Sequence, residues 1–441
     1  YSQFNAIIPF ENGCYALYNS FEQRVIFLAE ELKQILENSI KLGIDTLKEI
    51  HPTFFDNLLV NKFLVANNFN EIEAVKKISK KIDNNQNQFL LTINPTLNCN
   101  FKCWYCYETH IRNSRIDSAT SESIKKFISK TAENKKLKYF HLSFFGGEPL
   151  LYFKQDVIPV IEHFLSVCKK RDISYGVGFT TNGYLVDDDL IAFFNFNEIK
   201  PSFQITFDGN KPAHDEVRYA TKTRGSYDTI VKNCKKLLGN DFSVRARINY
   251  TDKNIVDCFR IIDDFTEMSE KTKKDNLIFD FHRVWQNDSV DSTADLMQYN
   301  AKKMRDNGFQ TSVKFSPNNV LQSCYADKTN SVVINYNGDI YKCTARDFLP
   351  ENRVGYLSEE GILVWNEGYL ERRKNAKFNN APCLKCCILP LCNGGCSQHA
   401  LEHLETGNDY CVFHADRGEI ERIIKTKIEE ILDAQAKKKE N

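Results

Sequence analysis

From about residue 88 to 307, stretches of alternating apolar residues are followed by stretches with apolar residues at helical spacing. Phe89–Ile93 and Tyr139–Phe145 read as short apolar strands. Tyr175, Val177 and Phe179 continue an alternation that begins at Ile173, and Phe203, Ile205 and Phe207 repeat it. Val244, Ala246, Ile248 and Tyr250 predict a fifth strand, and Leu277–Val284 a sixth. Between them, Ser118 or Thr120 caps a helix carrying Ile124, Phe127 and Ile128 on one face, and another helix runs from about Gln155 through Lys170. Strand–helix alternation of this kind predicts an α/β fold with parallel strands.

The flanks differ. Ala6–Phe10, Tyr15–Tyr18 and Val25–Leu28 read as strands, with a turn at Asn12-Gly13. Leu32, Ile35 and Leu36 suggest a helix, as do Leu58–Leu64 and the series Ile72, Val75, Ile78, Ile82. Strands followed by small helices predict a winged-helix-like module over residues 1–87, with a packing cap on the following domain as the alternative. From about 310 the alternation stops. Glu419–Ala434 returns to helical spacing through Ile420, Ile423, Ile424, Ile428, Ile431 and Leu432, and the Lys437-Lys438-Lys439 tail is expected to be solvated.

Composition narrows the function. The 441 residues carry 58 Lys+Arg against 58 Asp+Glu, so charge gives no case for nucleic acid or an anionic membrane. No apolar run approaches the ~20 residues of a membrane span, and Tyr1-Ser2-Gln3-Phe4 does not read as a secretory signal, a processed or trimmed start being the alternative. The 15 cysteines sit mostly in close-set groups, which argues against a secreted disulfide framework and for a reducing cytoplasm.

The densest group is Cys99-Asn100-Phe101-Lys102-Cys103-Trp104-Tyr105-Cys106, three cysteines at C-x3-C-x2-C spacing. Three thiolates this close suit an iron–sulfur cluster; zinc sites favour C-x2-C pairs with a fourth ligand. Downstream, Phe144-Phe145-Gly146-Gly147-Glu148-Pro149 ends a strand in two glycines, which let backbone approach a ligand. The two motifs, in this order on the first two strands, resemble the radical S-adenosylmethionine (SAM) enzymes.

The resemblance implies a partial (β/α)6 barrel over residues 88–307 and a SAM-binding [4Fe–4S] cluster on Cys99, Cys103 and Cys106. One iron of such a cluster is left for the methionyl amine and carboxylate of SAM, whose reductive cleavage yields the 5′-deoxyadenosyl radical. Gly146 and Gly147 would face the amine, with Glu148 and Pro149 supporting their loop and Tyr105 near the adenine. Thr181, Asn182 and Asp208, at the ends of the third and fourth strands, would face the same ligand or serve as turn residues. Arg218 is a candidate partner for the SAM carboxylate, or else one half of an ion pair.

The remaining cysteine groups extend the resemblance. Cys324, Gly338 and Cys343 stand at C-x13-G-x4-C, and Cys383, Cys386, Cys392 and Cys396 at C-x2-C-x5-C-x3-C, before a final Cys411. Taken alone, C-x2-C-x5-C is as compatible with zinc. Beside a radical SAM barrel it resembles the SPASM extension, placed here at 308–415, with 416–441 as a terminal helix and tail. That resemblance implies an outer [4Fe–4S] cluster on Cys383, Cys386, Cys392 and Cys411, and an inner one on Cys324, Cys343 and Cys396. Asn330 stands where some relatives have a fourth inner cysteine, which leaves an open iron or a borrowed ligand. Cys14, Cys168, Cys234, Cys258 and Cys387 are left as structural thiols.

The expected activity is that of a peptide maturase. It would bind the leader of a ribosomal precursor peptide through residues 1–87 by strand addition, take electrons from a flavodoxin- or ferredoxin-type donor under low oxygen, and install a crosslink. The rival reading is an anaerobic sulfatase maturase making formylglycine. That family has an aspartate directly after the second inner cysteine, whereas Cys343 is followed here by Thr344. Intact motifs argue against a non-catalytic scaffold.

Overall fold

The computed structural model describes residues 1–221, 223–287, 293–313 and 321–439. The chain divides into two compact units, Gln86–Lys314 with Asn330–Glu367, and Tyr1–Asn85 with Phe315–Thr329 and Gly368–Asn441.

In the first unit the six expected strands are Gln88–Asn94, Tyr139–Phe144, Ser174–Thr181, Ser202–Phe207, Ser243–Tyr250 and Leu277–Arg283. Each pairs in parallel with the next. Two further parallel strands flank them. Gln310–Val313 adds beside the sixth, and Ser331–Asn335 adds beside the first. Asp339–Tyr341, Gly355–Leu357 and Leu363–Trp365 continue antiparallel beyond Ser331–Asn335, which gives an 11-stranded sheet.

One face of the parallel strands is apolar. Leu91, Ile93, Phe140, Leu142, Phe144, Val177 and Phe179 lie buried there under helices such as Ser118–Thr131 and Ile158–Lys170. Phe144, Phe179 and Phe203 stack across three neighbouring strands with ring centroids 5.2 Å apart, each pair adding about 0.5–1.5 kcal/mol beyond its area. The opposite face is polar, because successive strand residues point to opposite sides. His141, Ser143, Thr180, Gln204 and Arg245 border a cavity of about 440 Å³. Glycine makes this room: a Cβ on Gly178 would meet Nε2 of His141 at 3.2 Å.

The helix after the cysteine loop is capped one residue before Ser118 and three before Thr120, the two expected caps. Asp117 accepts from the Thr120 N–H at 2.7 Å. An aspartate caps as well as a serine, and its neighbour Ser118 becomes the first helical residue.

The second unit begins with three antiparallel strands, Asn5–Pro9, Tyr15–Asn19 and Arg24–Leu28, paired in that order. Asn12 and Gly13, both at positive φ, form the turn between the first two. The helices are Glu30–Leu42, Thr46–Ile50, Pro52–Val60 and Glu71–Asp83. Of the stretch expected as a helix over Leu58–Leu64, only Leu58–Val60 is helical, as the end of Pro52–Val60. Proline occupies its first turn, where a missing N–H costs nothing, and His51 Nδ1 accepts from the Phe54 N–H.

Ile8, Ala16 and Tyr18 share an apolar cluster with Ile388, Leu391, Ile423, Ile424 and Ile428. Phe4 and Val75 share another with Phe378, Cys383 and Leu389. The N-terminal module and the last cysteine-rich segment thus form one body, whereas the sequence pattern separates them at 87 and 308. Cys14, expected as a structural thiol, is half-buried. The last helix, Arg417–Lys439, runs further than Glu419–Ala434, and the Lys437–Lys439 side chains expected to be solvated lie outside the described residues.

Candidate active site and cysteine clusters

Three chain segments meet at the C-terminal ends of the first three strands. The loop after Gln88–Asn94 carries Cys99, Cys103 and Cys106; the next strand ends in Gly146 and Gly147; the third ends in Thr181 and Asn182. Both glycines have positive φ, +76° and +42°. A Cβ on Gly147 would lie 2.2 Å from the Asn98 carbonyl oxygen, so only glycine lets this turn close on the cysteine loop.

Glu148 locks the three segments together. It is fully buried and accepts from the Leu150 N–H at 3.0 Å, the Thr181 hydroxyl at 2.6 Å and the Asn182 N–H at 2.8 Å. Its own N–H donates to the Asn98 carbonyl at 2.9 Å. Asn182 reaches on to Asn100, beside Cys99, with Nδ2 2.7 Å from Oδ1. Pro149 opens the short helical turn Pro149–Tyr152.

A second network fixes the far side of the loop. The Tyr105 hydroxyl donates to Asp208 at 2.5 Å and accepts from Arg218 Nη2 at 2.7 Å and Asn249 Nδ2 at 3.1 Å. Arg218 Nε also bonds Asp208, so this arginine is half of a buried ion pair. Two of its nitrogens are thereby spent inside the protein.

Several polar groups here were missed in the sequence. Glu108 accepts from the Gly147 N–H at 2.7 Å, and burial pushes its carboxyl up to about 7. His110 Nε2 lies 3.5 Å from the Cys106 sulfur. Asn94, fully buried at the end of the first strand, leaves both amide atoms without a hydrogen bond among the described residues; a Cβ on the adjacent Gly146 would meet its Cβ at 2.7 Å. Only the position of Glu108, two residues beyond Cys106, offered a signal. Asparagines near strand ends read as turn formers.

The cysteine loops fit a metal cluster chemically. Burial pushes the Cys99 thiol up to about 12 and Cys106 to about 11, and the thiols are close enough to raise one another. Electropositive iron relieves that burden by binding the thiolates. Backbone N–H groups already point at sulfur: Phe101 donates to Cys99 at 3.4 Å, Ala345 to Cys343 at 3.3 Å and Ala415 to Cys411 at 3.3 Å.

In the second unit, Cys383, Cys386, Cys392 and Cys411 line a single recess with Leu389 and Phe413. Burial pushes Cys383 to about 11 and Cys392 to about 12. Asn393, Gly394 and Gly395 follow at positive φ of 54°, 77° and 73°. Three left-handed residues in a row, two of them glycine, turn the chain sharply between Cys392 and Cys396. Asp327 bonds both Lys377 and Ser397, which ties the Cys324 turn to the helix that starts after Cys396. Cys343 belongs to the first unit. Among the described residues, no three His, Cys, Asp or Glu side chains converge as ligands of a single ion. Cys168, Cys234 and Cys258 are buried and Cys387 partly so.

Comparison with known proteins places this geometry. The Radical SAM superfamily matches residues 93–253. A cysteine-type anaerobic sulfatase-maturating enzyme of Clostridium novyi (strain NT) is 26% identical, over 72% of this chain and 89% of its own. The radical SAM cyclopropyl synthase TigE of Paramaledivibacter caminithermalis is 22% identical, over 90% of this chain and 89% of its own. Streptococcus suis SuiB bound to precursor peptide SuiA shares the fold at a TM-score of 0.54 and 18% identity, covering 94% of this chain and 99% of that one. The structure of anSMEcpe with bound AdoMet and the Kp18Cys peptide shares it at 0.52 and 16%, covering 77% and 99%. The segment that matches the Radical SAM superfamily, residues 93–253, is thus the one in which the cysteine loop is held against the Gly146-Gly147 turn.

Proposed function

We propose that the protein is a SPASM-type peptide maturase, acting on a ribosomal precursor peptide to install a crosslink or related modification. Cys99, Cys103 and Cys106 would hold the SAM-binding [4Fe–4S] cluster. When bound, cluster and SAM together supply a 5′-deoxyadenosyl radical. The chain's own task is to hold and screen them. Gly146 and Gly147 present backbone, Glu148 braces that backbone against Thr181 and Asn182, and Tyr105 is fixed by Asp208, Arg218 and Asn249. Any carboxylate met by Arg218 would be left its remaining nitrogen, Nη1.

Cys383, Cys386, Cys392 and Cys411 would hold an outer auxiliary cluster, which their common recess supports. Cys324, Cys343 and Cys396 would hold an inner one on the strength of their spacing. The winged-helix-like N-terminal module would take the leader peptide, and a flavodoxin- or ferredoxin-type protein would supply electrons in an anaerobic cytoplasm.

The observation that carries the choice over formylglycine synthesis is the fate of the nearest carboxylate. Thr344 follows Cys343, and Asp347, the next acid, accepts from the Thr109 N–H at 2.9 Å and its hydroxyl at 2.6 Å. An aspartate so engaged is poorly placed to take a proton from substrate. The TigE and SuiB likenesses, which cover more of the chain than the sulfatase maturases do, support the same reading. The test is to incubate the reduced, reconstituted enzyme and SAM with two kinds of substrate, a sulfatase-motif peptide and any short peptide found encoded beside its gene. Masses should change only in the second. Formylglycine at useful turnover in the first would reverse the assignment.

A further inference from the structure

Strand Ser243–Tyr250 buries Val244, Ala246, Ile248 and Tyr250 in the core. Arg245, Arg247 and Asn249 therefore share its other face, toward the barrel interior. Arg245 borders the 440 Å³ cavity and pairs with Asp280 at 3.1 Å. Asn249 bonds the Tyr105 hydroxyl above the cysteine loop. Arg247 stands between them.

Its guanidinium is held but not neutralised. Nε donates to Asn249 Oδ1 at 2.8 Å, and Nη1 and Nη2 meet no hydrogen-bond or ion-pair partner among the described residues. Asp280, opposite Arg247 in the register of the next strand, is engaged by Arg245 and by His282 at 3.0 Å. Asp208 is engaged by Arg218 and Tyr105. Three interior arginines thus face two interior aspartates, and Arg247 is the one without a counter-ion. Burial lowers the arginine's pKa, and the charged or titratable groups facing it are Tyr107, Asp280, Tyr105, Arg218 and Asp208, the two carboxylates being bonded to other partners.

We infer that Arg247 is a specificity-determining residue that receives a carboxylate entering the barrel interior beside the cysteine loop. A guanidinium with both terminal nitrogens open is shaped for bidentate binding of a carboxylate, and partial burial strengthens such a pair. The Asn249–Tyr105 chain fixes the fork in place, which limits the ordering loss on binding. Tyr107 stacks on the exposed Trp285 at 6.0 Å, which sets an aromatic surface beside this group. The carboxylate is that of SAM or of an acidic residue in the peptide; the second source rests on the proposed maturase function.

Two variants of the anaerobically reconstituted holoenzyme separate the sources. R247Q removes the charge, and R247K keeps charge and stem but not the fork; R247K serves if R247Q fails to retain iron. One assay is equilibrium binding of SAM. The other uses two synthetic N-acetylated, C-amidated peptides identical except for one Glu or Gln, followed by Trp fluorescence. A loss of SAM affinity of about ten-fold or more in R247Q assigns the carboxylate to SAM. Unchanged SAM affinity, with a wild-type preference for the Glu peptide that R247Q abolishes and R247K reduces, assigns it to the peptide. If neither SAM affinity nor the Glu-over-Gln preference depends on Arg247, the inference is overturned. Failure of the proposed function shows separately, as a wild-type holoenzyme that binds SAM without cleaving it.

Discussion

Gly147 and Gly239 show how one residue type means different things. Gly147 sits at φ +42° with no room for a Cβ, whereas Gly239 ends a helix with nothing within 4 Å of its missing side chain. Gly147→Ala should therefore lower stability by about 1–3 kcal/mol or more and abolish SAM binding. Gly239→Ala should leave binding intact and raise stability by about 0.4–1 kcal/mol. Thermal unfolding and SAM binding measured together check both. The Gly146-Gly147 pair was legible because two glycines after a strand form a local pattern. Arg247 and Asn94 were not, since an arginine or asparagine in a strand has the same letters whether its partner is present or missing. Likewise, no local sequence feature reveals that Arg218 spends its guanidinium on Asp208 and Tyr105.

At the scale of elements, all six alternating stretches became strands, because one buried face imposes a period of two on each. Gln310–Val313 escaped notice. It is short and polar and, among the described residues, pairs only with Leu277–Arg283, so no alternation marks it. Two elements carry predictions. Arg24–Leu28 is an edge strand with Phe27 exposed, which suits an added peptide strand. Phe27→Glu should weaken precursor binding about ten-fold, with iron content and melting temperature unchanged; an equal fall in melting temperature would mark Phe27 as merely structural. In the Cys383–Cys411 segment, Cys383→Ala should lower iron by about four atoms per chain. Finding zinc there would remove the SPASM assignment.

For the whole molecule, the joining of N-terminal strands to the last cysteine-rich segment changes what a truncation tests. Ile8, Ala16 and Tyr18 cover Ile388, Leu391 and Ile423. Such a union is invisible in the sequence, where each segment shows only that it has an apolar face. Removing residues 1–87 should expose that face, so the outer cluster's iron should be lost along with leader binding. Retention of all iron by the truncated chain would show the module to be separable, as a detachable leader-binding domain would be. The central claim is that the Cys99, Cys103 and Cys106 loop, braced by Glu148 and Tyr105, supports reductive cleavage of SAM. It is tested most directly by quantifying 5′-deoxyadenosine from the reduced, reconstituted protein beside its Cys99→Ala, Cys103→Ala, Cys106→Ala triple variant. The account predicts steady formation by the wild type and none by the variant, which keeps its auxiliary iron. Intact SAM in an iron-loaded, reduced wild type, or equal cleavage by the variant, would contradict it.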